Sequence, residues 1–286
     1  MAGFASVGEM AAAQIAGFER MSTWRKQPAV VTAAGFWFDL SMSSGNPIPN
    51  YYAAAPLVAQ RMAQSTDGGI YHGGAVAPAK KVLRTMLGLT VTAGAVPLTM
   101  VLCDYLLFYP FVDEADAAEQ LLENPVSLAR YTDGDGVRVM PVVVAAQVGG
   151  RNISIRYTNQ AGVADRLSPL VRTGTQAVNG TILTSAVATA NTAAPFLPLQ
   201  AGDTGVRSIE GVTTTGGDVG LFTLVLVKPL ATFTLRGVDA PNEVDFLRDF
   251  GAMPIVQDDA YLNFICLPAG SLSAAPIHGM AHFVWG

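Results

Sequence analysis

The chain has 286 residues, half of them apolar and only 14% charged, with a net charge of −5, two cysteines and three histidines. That length buries a substantial core without disulfides or metals, the negative balance excludes electrostatic binding to nucleic acid, and three scattered histidines supply little for a catalytic or metal cluster. A mean hydropathy of +0.35 is high for a protein that must coat its whole surface in polar groups, and it points to burial against neighbouring subunits.

In chain order, Ser6-Val7-Gly8-Glu9 has the pattern of a capping box and predicts a helix running to about Met21, with Ile15, Phe18 and Met21 on one apolar face. Val30 to Thr32 and the aromatic run Phe36 to Leu40 read as strand, and Gly45-Asn46-Pro47-Ile48-Pro49 as a restricted loop. Pro56 to Gln64 suits a short helix, followed by an open glycine-rich loop through Asp67-Gly68-Gly69 and His72-Gly73-Gly74 to Pro78. The apolar stretch Val82 to Phe111 is broken by Gly88, Gly94, Pro97 and Asp104 and is rich in threonine. Buried strands at Leu87 to Thr92 and Leu98 to Tyr109 suit it better than a membrane span.

Acidic residues concentrate in Phe111 to Gly136, where seven carboxylates face Arg130 alone, and Glu114 to Leu122 predicts a second helix with Leu121 and Leu122 inward. Beyond Arg130 the residues become β-branched and turns recur. Strands are expected at Val137 to Val148, Ile153 to Asn159, Gln176 to Ser185, Val206 to Thr213, Leu221 to Pro229, Thr232 to Arg236, Asp259 to Leu267 and Gly279 to Trp285. The alternation in Arg151 to Tyr157 fits a sheet with one dry face. The expected fold is mainly β with a few helices (α+β): residues 1–130 form a mixed region of helices, extended loops and buried strands, and 131–286 an antiparallel β-sandwich, with a jelly roll as one arrangement.

No motif carries chemistry. His278 and His282 have the spacing of a metal pair, but on a strand they stand about 13 Å apart, too far to share an ion. Asp133-Gly134-Asp135-Gly136 lacks the remaining ligands of a calcium loop and reads as a turn. Asp258 and Asp259, adjacent on a strand edge, point to opposite faces. Cys103 and Cys266 sit in apolar surroundings and are expected to be reduced and buried. There is no nucleophile elbow, phosphate loop or dinucleotide fingerprint. Met1 to Ala16 lacks the features of a secretory signal, so synthesis in a cytoplasm is expected. Neither a catalytic residue, a metal nor a cofactor is assigned.

Four stretches, Asn50 to Leu57, Asp67 to Gly73, Tyr157 to Gly162 and Phe196 to Arg207, resemble structural proteins of tailed bacteriophages, and the resemblance extends over most of the chain. It implies a particle component without catalysis, located in the virion capsid and assembled in the host bacterial cytoplasm. Among such components a long spine helix is missing for a major capsid protein, and a tail-tube subunit has no first half of this type. A cement or decoration protein fits best, its partners being copies of itself, as a trimer or otherwise, and the major capsid protein, with neither nucleic acid nor membrane. The loops nominate Trp37, Asn46, Tyr51, Tyr52, Gly69 and Tyr71 as interface residues. A carbohydrate-binding sandwich using the exposed aromatics, and a hydrolase relay through His72, are the readings from other classes.

Overall fold

Ser6 accepts the Glu9 amide at 3.1 Å and caps helix α1 (Val7–Ile15), while the Glu9 carboxylate turns back to the Ala5 amide at 2.7 Å. These contacts begin the chain's description in the computed structural model, which covers residues 3–174, 178–185, 194–215 and 219–286. The helix stops six residues short of Met21. Gly17 at φ +81° reverses the chain, and Phe18 and Met21 are exposed rather than forming a buried stripe; the residues α1 buries are Met10 and Ala13.

Strand β1 (Glu19–Gln27) follows, then β2 (Phe38–Asp39), β3 (Ser44–Asn46), β4 (Gln60–Arg61), the single turn α2 (Gln64–Asp67), β5 (Lys81–Thr90), β6 (Leu98–Asp113) and β7 (Gln120–Leu121). The second half supplies β8 (Arg138–Ala145), β9 (Asn152–Asn159), β10 (Arg166–Leu167), β11 (Val171–Arg172), β12 (Val206–Thr214), β13 (Leu221–Leu235), β14 (Asn242–Asp245), the short α3 (Phe246–Phe250), β15 (Ile255–Val256), β16 (Tyr261–Pro268) and β17 (Ile277–Trp285).

Two expected helices are absent. Between Glu114 and Leu122 the Asp113 and Asp116 carboxylates each accept an amide two residues on, at 2.9 Å, which bends the chain into turns. β7 then pairs with β12, leaving Leu121 63% exposed and only Leu122 inward. Pro56 to Gln64 makes a turn at Pro56 and Leu57 and then a short strand, with Gln60 and Arg61 paired to Phe108 and Leu107 of β6, before α2 begins at Gln64. The two strands expected at Leu221 to Pro229 and Thr232 to Arg236 are one, β13, which stays paired to β6 across a register shift between Pro229 and Ala231. Of the strand expected at Gln176 to Ser185, residues 176–177 lie outside the described residues. Its described part makes bridges at Thr181 and Ile182 and then a 3₁₀ turn.

Among the described residues the strands form three antiparallel sheets. The first runs β14-β5-β17-β1-β3 with β15 beside β5, the central one β2-β16-β6-β13-β8 with β4 beside β6, and the third β10-β9-β12-β7 with β11 beside β9. Residues from both sides of position 130 enter every sheet. The organising elements are β6 and β13, which are long enough to serve two sandwiches. Leu98, Met100, Leu102, Phe233 and Leu235 at one end pack with Trp24, Leu83, Met86 and Phe283 of the first sheet. Leu107, Tyr109, Phe222, Leu224 and Leu226 at the other end pack with Ile153, Ile155, Tyr157, Ile209 and Val212 of the third. The opposite face of the central sheet, with Val101, Cys103, Tyr105, Val225 and Val227, is roofed by Tyr52, Met62 and Ile182 from the loops.

From Met100 to Pro110 every residue of β6 is therefore buried. This explains the long apolar run in the sequence: a strand covered on both faces has no polar side. β9, covered on one face only, keeps the expected alternation with Ile153, Ile155 and Tyr157 inward. Cys103 and Cys266 are both free and buried, and their membership of clusters on opposite faces of the central sheet keeps them from bridging. No helix among the described residues is long and apolar enough to cross a membrane.

Candidate functional site

Three buried polar centres fasten the loops to this frame. At the first, Asp39 is wholly buried and accepts the Ser41 amide at 2.9 Å, the Ser41 hydroxyl at 2.7 Å, the Tyr52 hydroxyl at 2.5 Å and the Tyr105 hydroxyl at 2.7 Å. Burial raises its carboxyl above the usual range, and the Tyr52 and Ser41 hydrogen bonds pull against that. Lys26, also buried, donates to the Ser43 and Pro47 carbonyls at 3.1 and 2.8 Å; desolvation lowers its ammonium to about 8 despite the nearby Asp39 charge.

The second centre is the ion pair of Asp104 with Arg130, both bonds at 2.8 Å. Arg130 also donates to the Met62 and Tyr105 carbonyls at 3.0 Å, and Asp104 accepts the Tyr261 amide at 3.1 Å. The third joins His72, Lys81 and Asp258. His72 lies between the Lys81 ammonium, 2.9 Å from Nδ1, and the Ala260 carbonyl, 3.0 Å from Nε2, and Lys81 stands 3.7 Å from Asp258. Arg130 and Asp258, from the second and third centres, line a pocket of about 560 Å³ with Tyr131, Thr132 and Asp133. His72 is 0% exposed, so it has no contact with a substrate as a relay base.

The other sequence candidates have structural roles. His278 and His282 lie on β17; His282 Nε2 meets Glu19 at 2.8 Å, and the described residues hold no group of side chains suited to a metal ion. Asp133 accepts the Asp135 amide at 3.1 Å, making the expected turn. Asp258 and Asp259 precede β16 in a turn instead of lying on its edge: Asp258 accepts the Val76 amide and Asp259 the Ser65 amide and hydroxyl, so each clamps a different loop.

The six nominated interface residues differ in exposure. Asn46 is exposed on edge strand β3 and donates to the Thr23 carbonyl at 3.0 Å. Tyr51 is 57% and Tyr71 48% exposed, the latter beneath the Arg20 guanidinium at 4.3 Å. Trp37 is half-buried against the roof of the central sheet. Tyr52 is fully inside, on Asp39, and takes no part in an exposed aromatic surface. Gly69 is buried too: at φ +87° a Cβ there would lie 2.9 Å from the Leu262 amide nitrogen. Gly69→Ala is expected to lower stability by about 1–3 kcal/mol in chemical denaturation, from the positive φ and the clash together.

What sequence reading missed is the apolar surface on the sheets. Register places Leu167 of β10, Arg156 of β9, Gly211 of β12 and Leu121 of β7 in one row across the third sheet. Ile153, Ile155 and Tyr157 point inward, so the row faces out. Leu121 and Leu167 are 63% and 59% exposed on either side of Arg156, which pairs with Glu119 at 2.7 Å and Asp165 at 2.8 Å. Val163 and Leu170 extend the exposed apolar surface near β10 and β11. Such a row is invisible to periodicity, because β7 and β10 are two residues long.

A second open feature is the outer edge of β13. β8 pairs with it only from Leu221 to Val227, so the edge from Lys228 to Leu235 has no strand partner among the described residues. A groove of about 830 Å³ runs beside it, lined by Thr232, Val244, Phe246 and Phe250 among others. Phe250, 65% exposed, stacks on Phe246. Residues 229–235 carry no charge to discourage pairing with another chain.

No protein-family profile matches the sequence, and a comparison with curated proteins finds no match. Among solved structures, the chain is similar to that of infectious bursal disease virus Gt strain, at 10% identity over 93% of this chain and 80% of the other, with a TM-score of 0.19. The VP2 subviral particle of the same virus gives 10% identity, the same coverage and a TM-score of 0.18. T=1 particles derived from that virus give 12% identity over 93% and 77% of the two chains and a TM-score of 0.15. All three are virus or virus-derived particles. At these TM-scores the likeness carries no argument, and the functional reading rests on the surface of the chain itself.

Proposed function

We propose that the chain is a non-enzymatic virion structural protein, a cement or decoration subunit of a bacteriophage capsid that binds copies of itself and the major capsid protein. On this reading it is located in the virion and assembles in the host bacterial cytoplasm, and its paired sandwiches are of jelly-roll type. The observation that carries the proposal is the outward row of Leu121 and Leu167 around Arg156, continued by Val163 and Leu170. An apolar strip bracketing a charge cluster is the composition of an interface core with a polar rim. The continuous strands β6 and β13 suit the role, since load applied to one sandwich passes to the other along two strands that stay paired, through their register shifts, from Leu98 to Asp113.

Light scattering of the purified protein, with electron microscopy in the presence and absence of shells stripped of accessory proteins, tests this. A discrete oligomer that coats shells supports cement, spontaneous closed shells make it the capsid subunit, and tubes make it a tail protein. Leu121→Asp combined with Leu167→Asp is expected to weaken self-association or shell binding by about 30–1,000-fold, because two apolar contacts of roughly 1–2 kcal/mol each are lost. The monomer's melting temperature is expected to stay put, since both side chains already face water.

A further inference from the structure

We propose that His72 is the pin of an acid-released latch that holds the loop from Gly68 to Ala79 against β5 and the Asp258–Ala260 turn. The argument is one of donors and acceptors. His72 Nε2 meets the Ala260 carbonyl at 3.0 Å, which can only accept, so that nitrogen carries the proton. Nδ1 meets the Lys81 ammonium at 2.9 Å, which can only donate, so that nitrogen must be bare. The site therefore accepts one tautomer of neutral imidazole. An imidazolium would set a second N–H donor against the ammonium, with no acceptor to turn to.

The surroundings reinforce this. His72 is 0% exposed, with the Phe283 ring of β17 at 5.9 Å between centroids. The charged groups that face it are Lys81 from β5, Asp258 from the turn before β16 and Arg130 from the segment before β8; two of the three are cations. Burial, and then Lys81, hold the imidazole down at about 4, against about 6.5 when the ring is free in water.

The same small cluster fastens the whole loop. Lys81 donates to the Gly74 carbonyl at 2.8 Å, Gln64 accepts the His72 amide at 2.8 Å and donates to the Gly73 carbonyl at 3.0 Å, and Asp258 accepts the Val76 amide at 3.1 Å. Ile70, 1% exposed, closes against Leu262 through a 2.8 Å backbone bond. Loss of the His72 pin frees this segment and uncovers Ile70 and Phe283. The open loop binds a proton that the closed one excludes, so acid favours opening; from pH 7 to pH 4 the opening constant rises about 100-fold.

Hydrogen exchange of the Ile70, His72 and Val76 amides between pH 7 and pH 4, corrected for intrinsic rates, reads that constant. The expected result is a loss of protection of about 100-fold in the native chain, and none in His72→Gln, whose amide does not titrate. Protection independent of pH in the native chain, or an equal loss in His72→Gln, overturns the latch. Should His72→Gln fail to fold, imidazole nitrogen shifts of the native protein decide. A neutral ring with its proton on Nε2 down to about pH 4 supports the proposal, and protonation near pH 6.5 with the loop still protected overturns it. Asp258→Asn keeps an acceptor for Val76 and is expected to retain the pH dependence, which separates the effect of His72 from that of Asp258.

Discussion

Arg130→Met is expected to lower the stability of the chain by about 3–5 kcal/mol, the largest single effect the structure predicts for a charged residue. Asp104 lies on β6 between Leu102, which faces the first sandwich, and Leu107, which faces the second. It is 0% exposed there and its partner Arg130 7%. Removing the guanidinium strips the carboxylate of two 2.8 Å bonds and orphans the carbonyls of Met62 and Tyr105 that Arg130 now satisfies. The sign of the pH dependence follows. Burial pushes the Asp104 carboxyl up to about 6 even with Arg130 pulling it down, so without Arg130 it moves higher still. A raised carboxyl keeps its proton in the folded state, and the penalty for ionising it is absent below the free value near 4 and fully present above the folded value. Urea unfolding is therefore expected to show a deficit that is greatest above pH 7 and shrinks towards pH 4. Adding Asp104→Asn is expected to restore roughly 2 kcal/mol at neutral pH, since the uncompensated charge is then gone. An Arg130→Met deficit that does not vary with pH would mean that lost packing, not the stranded carboxylate, dominates.

Much of the frame was legible because its signals are local. The Ser6 cap, the alternation of Ile153, Ile155 and Tyr157, and the turn residues around Asp133 and Gly134 each act within a few positions, and each stands where expected. The failures have a common cause in long-range pairing. Glu114 to Leu122 has helical composition, yet Asp113 and Asp116 bond their own backbone and β12 captures Gln120 and Leu121 as an edge. Ile15, Phe18 and Met21 carry helical spacing, but Gly17 ends the helix before that face is complete.

The same distinction governs the site. Asp39, Asp104 and His72 look unremarkable in sequence because their partners lie 13, 26 and 188 positions away, at Tyr52, Arg130 and Ala260. Loops that appear free to reach a neighbour are in fact pinned, which is why Tyr52 and Gly69 lie inside while Leu121 and Leu167, on two-residue strands, face out.

Asp39→Ala is the second change expected to have a large effect, about 4 kcal/mol in denaturant unfolding. Four donors converge on this carboxylate: the Ser41 amide and hydroxyl and the Tyr52 and Tyr105 hydroxyls. Alanine removes the acceptor they share, leaving the Tyr105 hydroxyl only the Phe264 carbonyl at 3.3 Å, the Ser41 and Tyr52 hydroxyls only each other at 2.7 Å, and the buried Lys26 ammonium without the negative charge of Asp39. Asp39→Asn retains the shape and one acceptor oxygen, and the tyrosine and serine hydroxyls can rotate to accept from its amide, so a loss of about 1–2 kcal/mol is expected. Tyr52→Phe removes a single donor and is expected to lose about 1–2 kcal/mol. The pH profile separates the electrostatic part from the packing part. Lys26 is lowered to about 8 in the native fold, so its contribution rises as pH increases from about 8 through its free value near 10.4. In Asp39→Ala the ammonium is depressed further, and the rise begins at lower pH. An alanine variant whose loss matched that of asparagine at every pH would place the burden on the carboxylate charge that both variants remove, and leave the shape and the acceptor oxygen that asparagine keeps without an energetic role.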